Sequence, residues 1–486
     1  MVTRLPEVDA VVIGMGWTGA ILARELTRAG LKVVGLERGP DRTPGEDFTL
    51  PSLRDELKYQ VRLWTMWDTS HSTLTFRNGR EETALPMRRL GAFLPGEGVG
   101  GSGVHWGGLH WRFLPDHFNL RTHTIQRYGA GFIPPDLTIQ DWPVGYDDLE
   151  PSYTHFDKIC AVSGQAGNLQ GRKIPGGNVF EGPRSEDYPN RPLHMSGAQM
   201  LFDKAAADLG YHPFPMPISN ASAPYVNPEG ITIGACQYCG FCNRTGCEAN
   251  AKASANIAIM PALRRDPNFT LRTHAFADRI LYDKPARKAR GVTYTDMRTG
   301  TEYEQPSGLV ILAGYVFTNT QMLLLSGIGT PYDPSTGQGQ VGRNYCYQVE
   351  AGSVGFFPGR EFNPFIGASG NLQAIDDFNG DNFDHGPLGF IGGGFIAGGA
   401  AGLPIGGRIT PPGVPRWGAA WKAETAKWYR SNVRLISEGA GHPSRGNYLD
   451  LDPTYRDALG RPLLRMTYTD TANDLKQSDY LVDITV

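Results

Sequence analysis

The chain has 486 residues, 40% of them hydrophobic and 20% charged, enough for two or three ordinary domains around a large core. A formal net charge of -3, with no block of like charges, offers no basic field to nucleic acid or an anionic membrane, so polyanion partners are excluded. No apolar run approaches the roughly 20 residues that span a bilayer, and MVTRLPE leads directly into a strand pattern without a signal peptide, so neither membrane insertion nor self-directed export is expected.

Val8 to Gly14, VDAVVIG, is a short continuous apolar run, as expected of a parallel strand covered on both faces. Ile21, Leu22 and Leu26 then recur at helical spacing, Gly30 is a C-cap, and Leu31 to Glu37 is the next strand. The turn of this βαβ unit reads Gly14-x-Gly16-x-x-Gly19. The first glycine permits the tight turn, the second lets backbone approach a pyrophosphate, and the third lets helix and strand pack. Glu37 ends the second strand, where a carboxylate can accept hydrogen bonds from an adenosine ribose. The pattern predicts dinucleotide binding over an accidental glycine-rich turn, but does not separate FAD from NAD. An NAD domain would continue with further βα units, whereas PGEDFTLPSLRDELKYQVRLWTMWDT, residues 44–69, is charged and aromatic without that rhythm.

Leu94 to Phe113 holds seven glycines in twenty residues with Ser102 among them, a loop whose N–H groups can face an anion or a flavin ring. Asn268 to Asp283 reads as a hairpin-like pair of β segments, and Gly308 to Gly329 as strand, turn, helix and glycine stop. The nucleotide domain is therefore expected to be discontinuous: residues 1–120, then 231–345 together with a cysteine cluster. A second domain would take 121–230, which is polar and Pro-rich, and 346–486, which is β-like and Gly-rich.

With these segments assembled, the chain resembles the glucose-methanol-choline (GMC) family of FAD-dependent oxidoreductases. GMGWTGAILARELTRAGLKVVGLERG is similar to its N-terminal FAD fingerprint, GVGGSGVHW to its first signature, GYVFTNTQMLLLSGIG to its second, and VGRNYCYQ to the segment after it. Within the family the likeness is to bacterial sugar-oxidising flavoprotein subunits, such as those of gluconate, fructose and glucose dehydrogenases. The resemblance implies an α/β fold, with a Rossmann-like FAD-binding domain and an antiparallel β-sheet substrate domain. It implies FAD contacts from Gly14, Gly16, Trp17, Thr18, Gly19, Glu37, Arg38, Gly100, Gly101, Ser102, Gly103, His105, Trp106, Ala277, Ala313 and Gly314. It further implies oxidation of an alcohol group of a sugar, sugar acid or polyol, with electrons leaving to a cytochrome c or quinone. A small signal-bearing subunit would carry the chain to the periplasm, a cytoplasmic location being the alternative. Asn319 departs mildly from the second signature, where proline or serine is usual. The larger departure is that no histidine follows His442, so the family's C-terminal histidine and its histidine or asparagine partner are not recognised. The catalytic residues are thus unassigned, DLKQSDYLVDITV does not read as the expected helix, and the chain is expected to lack the catalytic segment and to be nearly inactive.

Cys236, Cys239, Cys242 and Cys247 read C-x2-C-x2-C-x4-C, with Gly234, Gly240 and Gly246 to relieve tight wrapping. A three-iron or four-iron sulfur cluster suits this spacing, and a dehydrogenase needs an outlet for single electrons. Zinc, disulfides and packed thiols stay open. Cys160 and Cys346 read as buried small apolar residues. His105 stands where the similar pyranose oxidases bond a histidine to the flavin; covalent attachment, noncovalent contact and a structural role are its three readings. Trp64, Trp67, Trp106 and Trp111 could stack on a sugar or pack a core. Asp376, Asp377, Asp381 and Asp384 read as a solvated turn rather than a calcium loop, and His385 as a candidate for the substrate cavity. Two other functions stay open: an oxygen-using oxidase without a cluster, and a noncatalytic flavin-binding chain.

Overall fold

The opening apolar run forms the strand Val8–Ile13, with Ala10, Val11 and Val12 fully buried. In the computed structural model of the chain, which describes residues 2–48, 65–91, 93–364, 366–368, 370–399 and 409–486, this strand is central. It runs parallel to Val33–Leu36 on one side and to the end of the long strand Thr301–Leu312 on the other. The helix Trp17–Arg28 joins the first two strands and turns Ala20, Ala23 and Thr27 inward. Gly30, at φ +83°, ends it with the Leu31 N–H donating to the Leu26 carbonyl.

Asn268 to Asp283 is not a hairpin. Phe269–Arg272 joins the parallel edge beside Val33–Leu36, whereas Ala275–Asp283 pairs antiparallel with Lys288–Asp296. The split falls at His274, which takes φ +54° and donates its N–H to the Gly39 carbonyl, redirecting the chain between two layers. Thr301–Leu312 links those layers, pairing first with Lys288–Asp296 and then with Val8–Ile13.

A second sheet is antiparallel, in the order Val349–Phe356, Asn432–Gly439, Gly394–Gly399, Gln373–Ile375, Phe214–Pro215. The helix Ala472–Thr485 packs on it through Leu481, which clusters with Phe202, Ile375 and Ile396. The final segment is therefore helical, contrary to the sequence reading. Thr471 caps it reciprocally with Asp474. Its inward face carries Asn473, Asp474 and Gln477, which hides the apolar stripe that normally announces a helix. A smaller sheet pairs Pro462–Thr467 with Leu74–Arg77 and with Tyr448–Arg456. No described helix is long and apolar enough to cross a membrane.

Candidate cofactor site

The turn after Val8–Ile13 and the glycine-rich loop meet face to face. A Cβ built on Gly101 would lie 3.2 Å from the Gly16 Cα, and the Gly100 N–H donates to the Met15 carbonyl at 2.8 Å. Gly14, at φ +97°, leaves no room for a side chain: a Cβ there would stand 2.6 Å from the Ala313 carbonyl oxygen. One on Gly19 would run into the Gly14 carbonyl oxygen. Gly16 differs, since its Cβ would meet nothing nearer than 3.9 Å. Backbone thus packs on backbone here, and the open space is what the two glycines border. It belongs to a cavity of about 290 Å³ lined by Gly14, Gly16, Trp17, Thr18, Glu37, Arg38, Gly101, Ser102, Gly103, Ala277, Ala313 and Gly314 among others. Gly19 and Gly100 support this wall from behind, and His105 and Trp106 follow its short helical turn, Gly101–Val104.

Glu37 does more than wait for a ribose. Its buried carboxylate accepts the N–H groups of Met15 at 3.0 Å, Gly39 at 2.9 Å and Gly98 at 3.1 Å. A carboxylate offers about four lone-pair sites, so roughly one is left for a ligand while the others tie the two glycine segments together. Beside it, the Arg38 guanidinium lies 3.9 Å over the Trp67 ring and 5.5 Å from that of Phe276, whose ring also carries Arg461 at 4.1 Å. Arg461 is fixed by the Ala277 carbonyl at 2.9 Å and by Asp278 and Asp457. Trp67, Phe276 and Arg461 also line the cavity, and the sequence reading had not placed them there. The signal available was weak: Arg461 lies far along the chain and arrives only because Pro462–Thr467 pairs with Leu74–Arg77.

The other face of the glycine-rich loop meets the cysteine segment. The Arg244 N–H donates to the His105 carbonyl at 2.7 Å. Lys252, fully buried, donates to the carbonyls of Trp106 at 2.6 Å, Cys242 at 2.5 Å and Thr245 at 2.7 Å. Burial draws the lysine pKa down to about 8, against the thiols of Cys242, Cys247 and Cys239, which pull it back up. The Asn220 amide donates to Cys242 Sγ at 3.4 Å and reaches Cys236 Sγ at 4.0 Å. None of the six cysteines is in a disulfide, which removes that reading of the pattern. Burial pushes the Cys236 thiol up to about 12 and raises that of Cys239. Among the described residues no three histidine, cysteine or acidic side chains converge closely enough to hold a metal ion. As placed, then, Cys236, Cys239, Cys242 and Cys247 do not converge on a single metal ion.

His105 donates from Nε2 to the Leu94 carbonyl at 2.9 Å, since that oxygen can only accept. Its buried Nδ1 keeps a bare lone pair without a partner, and burial lowers its pKa to about 4. It is a neutral imidazole at neutral pH.

Three comparisons bear on this site. A family model described as GMC oxidoreductase matches residues 229–350. The chain is 46% identical over 484 residues to gluconate 2-dehydrogenase flavoprotein of Pantoea cypripedii, a match covering 99% of this chain and 78% of the relative. The chain belongs to the GMC oxidoreductase family. It is also 25% identical over 496 residues to 2-methyl-1,2-propanediol dehydrogenase of Mycolicibacterium austroafricanum, covering 99% of this chain and 80% of that one. In fold it is similar to pyridoxine 4-oxidase from Mesorbium loti, with a TM-score of 0.55, 15% identity and coverage of 98% of this chain and 79% of that chain. FAD is the cofactor of this family, and the site fits it: Gly14, Gly16 and Gly101 line the cavity without side chains, Glu37 faces it, and Trp17 Nε1 is buried without a partner at its edge.

Elsewhere the structure corrects several expectations. His385 does not line the cofactor cavity; it is buried among Phe383 and Phe390 and donates from Nε2 to the Gly380 carbonyl. Of the aspartates before it, Asp384 is exposed, as a solvated turn requires, but Asp376 and Asp381 are held inward. Asp376 is buried against Asn178 and Asn379, with its pKa pushed up to about 6 by burial, and Asp381 pairs with His123, Arg127 and Tyr128. Cys160 is buried as expected, but Cys346 is exposed. Trp111 stacks on Phe395 at 4.5 Å within the core of the second sheet, Trp106 donates to the Ala253 carbonyl, Trp67 lines the cofactor cavity, and Trp64 lies outside the described residues. No histidine lines the cofactor cavity among the described residues.

Proposed function

We propose that the chain is an FAD-dependent dehydrogenase oxidising an alcohol group of a sugar, sugar acid or polyol, with electrons passed to an external acceptor such as a cytochrome or quinone. The observation that carries this is the cavity lined by Gly14, Gly16, Gly101 and Glu37 in a chain 46% identical to a gluconate 2-dehydrogenase flavoprotein. Bound FAD supplies a hydride acceptor. The chain supplies the rest: the start of the helix Trp17–Arg28, uncapped by any side chain, offers its first N–H groups to the pyrophosphate beside Gly14, Gly16 and Gly101, Glu37 holds the turn and offers its remaining lone pair to a ribose, and Arg38 and Arg461 flank the aromatic wall.

Several finer parts belong to this proposal. His105 is a neutral imidazole with a free Nδ1 beside the flavin loop, which supports a covalent link; acid precipitation tests it, and yellow colour wholly in the supernatant rules it out. An iron–sulfur cluster on Cys236, Cys239, Cys242 and Cys247 is supported by the spacing and by contact of their loop with His105 and Trp106. Iron with acid-labile sulfide supports it; zinc alone opposes it. A small signal-bearing subunit, a cytochrome c acceptor and a periplasmic location are inferred from the gluconate dehydrogenase likeness. The alternative reading, an oxygen-using oxidase of the same family without a cluster, would be favoured by zinc held on these cysteines.

Anaerobic addition of D-gluconate, D-glucose or D-sorbitol while following flavin absorbance separates these readings. Bleaching reversed by an artificial acceptor but not by air supports the dehydrogenase. Reversal by air supports the oxidase. Bound flavin that no polyol bleaches supports a noncatalytic flavin-binding chain.

A further inference from the structure

A second cavity, of about 760 Å³, shares no lining residue with the cofactor site. It lies between the helix Leu120–Tyr128 with the segment that follows it and the turns at 332–344. Three arginines reach it from distant parts of the chain: Arg121, Arg343 and Arg445. Its lining includes no aspartate or glutamate, and none of the three arginines is in an ion pair among the described residues. Of the acids nearby, Asp333 accepts from Ser335 and Thr336, Asp141 accepts from Thr122 and lies within electrostatic reach of Arg121, and Asp136, exposed, meets Arg445 through its backbone carbonyl, its carboxylate making no hydrogen bond or ion pair among the described residues.

The frame that carries these charges is fixed. The Arg445 N–H donates to the Asp136 carbonyl at 3.2 Å, and the Arg445 carbonyl accepts the Tyr332 hydroxyl at 3.1 Å. The Thr138 N–H donates to the Pro443 carbonyl at 2.8 Å, while Leu137 and Ile139 are buried with Ile391 beneath the floor. Arg343 spends one N–H on Gln340 and keeps the remainder of its fork. Arg343 and Asn344 come from VGRNYCYQ, whose role the cofactor site does not account for.

Three arginines on one cavity whose lining holds no carboxylate suit an anion, because the planar guanidinium fork binds carboxylate or phosphate in two-point fashion. Thr138, Gln140 and Asn344 add neutral groups suited to hydroxyls. We propose that this cavity is a second binding site, for a small polyhydroxylated anion with a carboxylate or phosphate at one end. This does not rest on the flavin reading.

The test is calorimetric titration of the full chain with D-gluconate, with glucose 6-phosphate and with neutral D-glucose at low ionic strength. Saturable binding of at least one anion, at least about tenfold tighter than glucose, is expected, since charge-assisted hydrogen bonds are about twice as strong as neutral ones and each tenfold is a modest energy. The tighter anion identifies the head group. Arg343→Gln and Arg445→Gln should each weaken it by about tenfold, and added salt should weaken it further. Arg461→Gln, in the cofactor cavity, should leave it unchanged, which separates this site from anion binding near the flavin. Arg121 and Arg445 are exposed, so Arg121→Gln and Arg445→Gln fold normally and keep the test decisive. No saturable binding by either anion, equal binding of glucose, or affinity indifferent to Arg343→Gln and Arg445→Gln would overturn the proposal.

Discussion

The glycine-rich loop presents two unlike faces. Towards Gly16 it is bare backbone bordering the cofactor cavity; towards the cysteine segment it is tied down by Arg244 and by the three-carbonyl clamp of Lys252. A ligand site built from N–H groups needs glycines and vacancy, whereas a rigid backing needs buried donors matched to carbonyls. The same short loop can therefore be permissive on one side because it is immobilised on the other.

Removing the backing should have the largest effect. Lys252→Met deletes a buried ammonium and leaves the carbonyls of Trp106, Cys242 and Thr245 without that donor, at about 3–5 kcal/mol of stability, since unsatisfied buried groups cost about 1–3 kcal/mol each. Chemical denaturation measures it. A loss below about 1 kcal/mol would mean that the two faces are independent.

Glu37→Ala sharpens the comparison from the open side. It frees the N–H groups of Met15, Gly39 and Gly98, so thermal stability and flavin affinity should fall together, by about 1–3 kcal/mol each. Glu37→Gln, which still accepts, should lose less. If affinity alone changed, Glu37 would be a ribose contact and not a tie between the glycine segments.

The first face was legible from sequence and the second was not. Gly14, Gly16 and Gly19 announce themselves because their spacing answers to local chain geometry within one βαβ unit. Lys252, by contrast, reads as an ordinary surface lysine until the fold brings it beneath Trp106. Arg461 and Phe276 were missed for the same reason: their meeting depends on strand pairing across the chain. The helix Ala472–Thr485 was missed because its buried side is partly polar, and the aspartates near His385 because their partners, Asn178 and Arg127, lie in remote segments.

A pH series gives a smaller effect. Burial holds His105 and His442 at a pKa of about 4, below the ordinary histidine value. A base whose folded pKa is depressed favours folding above its unfolded pKa, and that stability is lost as pH falls from about 6.5 towards 4. Each histidine should thus cost about 2 kcal/mol between pH 6.5 and 5, at about 1.4 kcal/mol per pH unit. His442→Gln should flatten the melting-temperature profile over that window, and an unchanged slope would show that His442 is hydrated.

The most direct measurement is the flavin content of purified Gly16→Val. A Cβ at Gly16 makes only ordinary contacts, 3.9 Å from the Gly101 Cα, so a branched side chain should leave the chain folded, yet crowd the cavity that Gly16 lines and where the pyrophosphate belongs. The account predicts a protein with the unchanged far-ultraviolet spectrum of a folded chain and little or no bound FAD. A folded Gly16→Val protein with a full complement of flavin would contradict it.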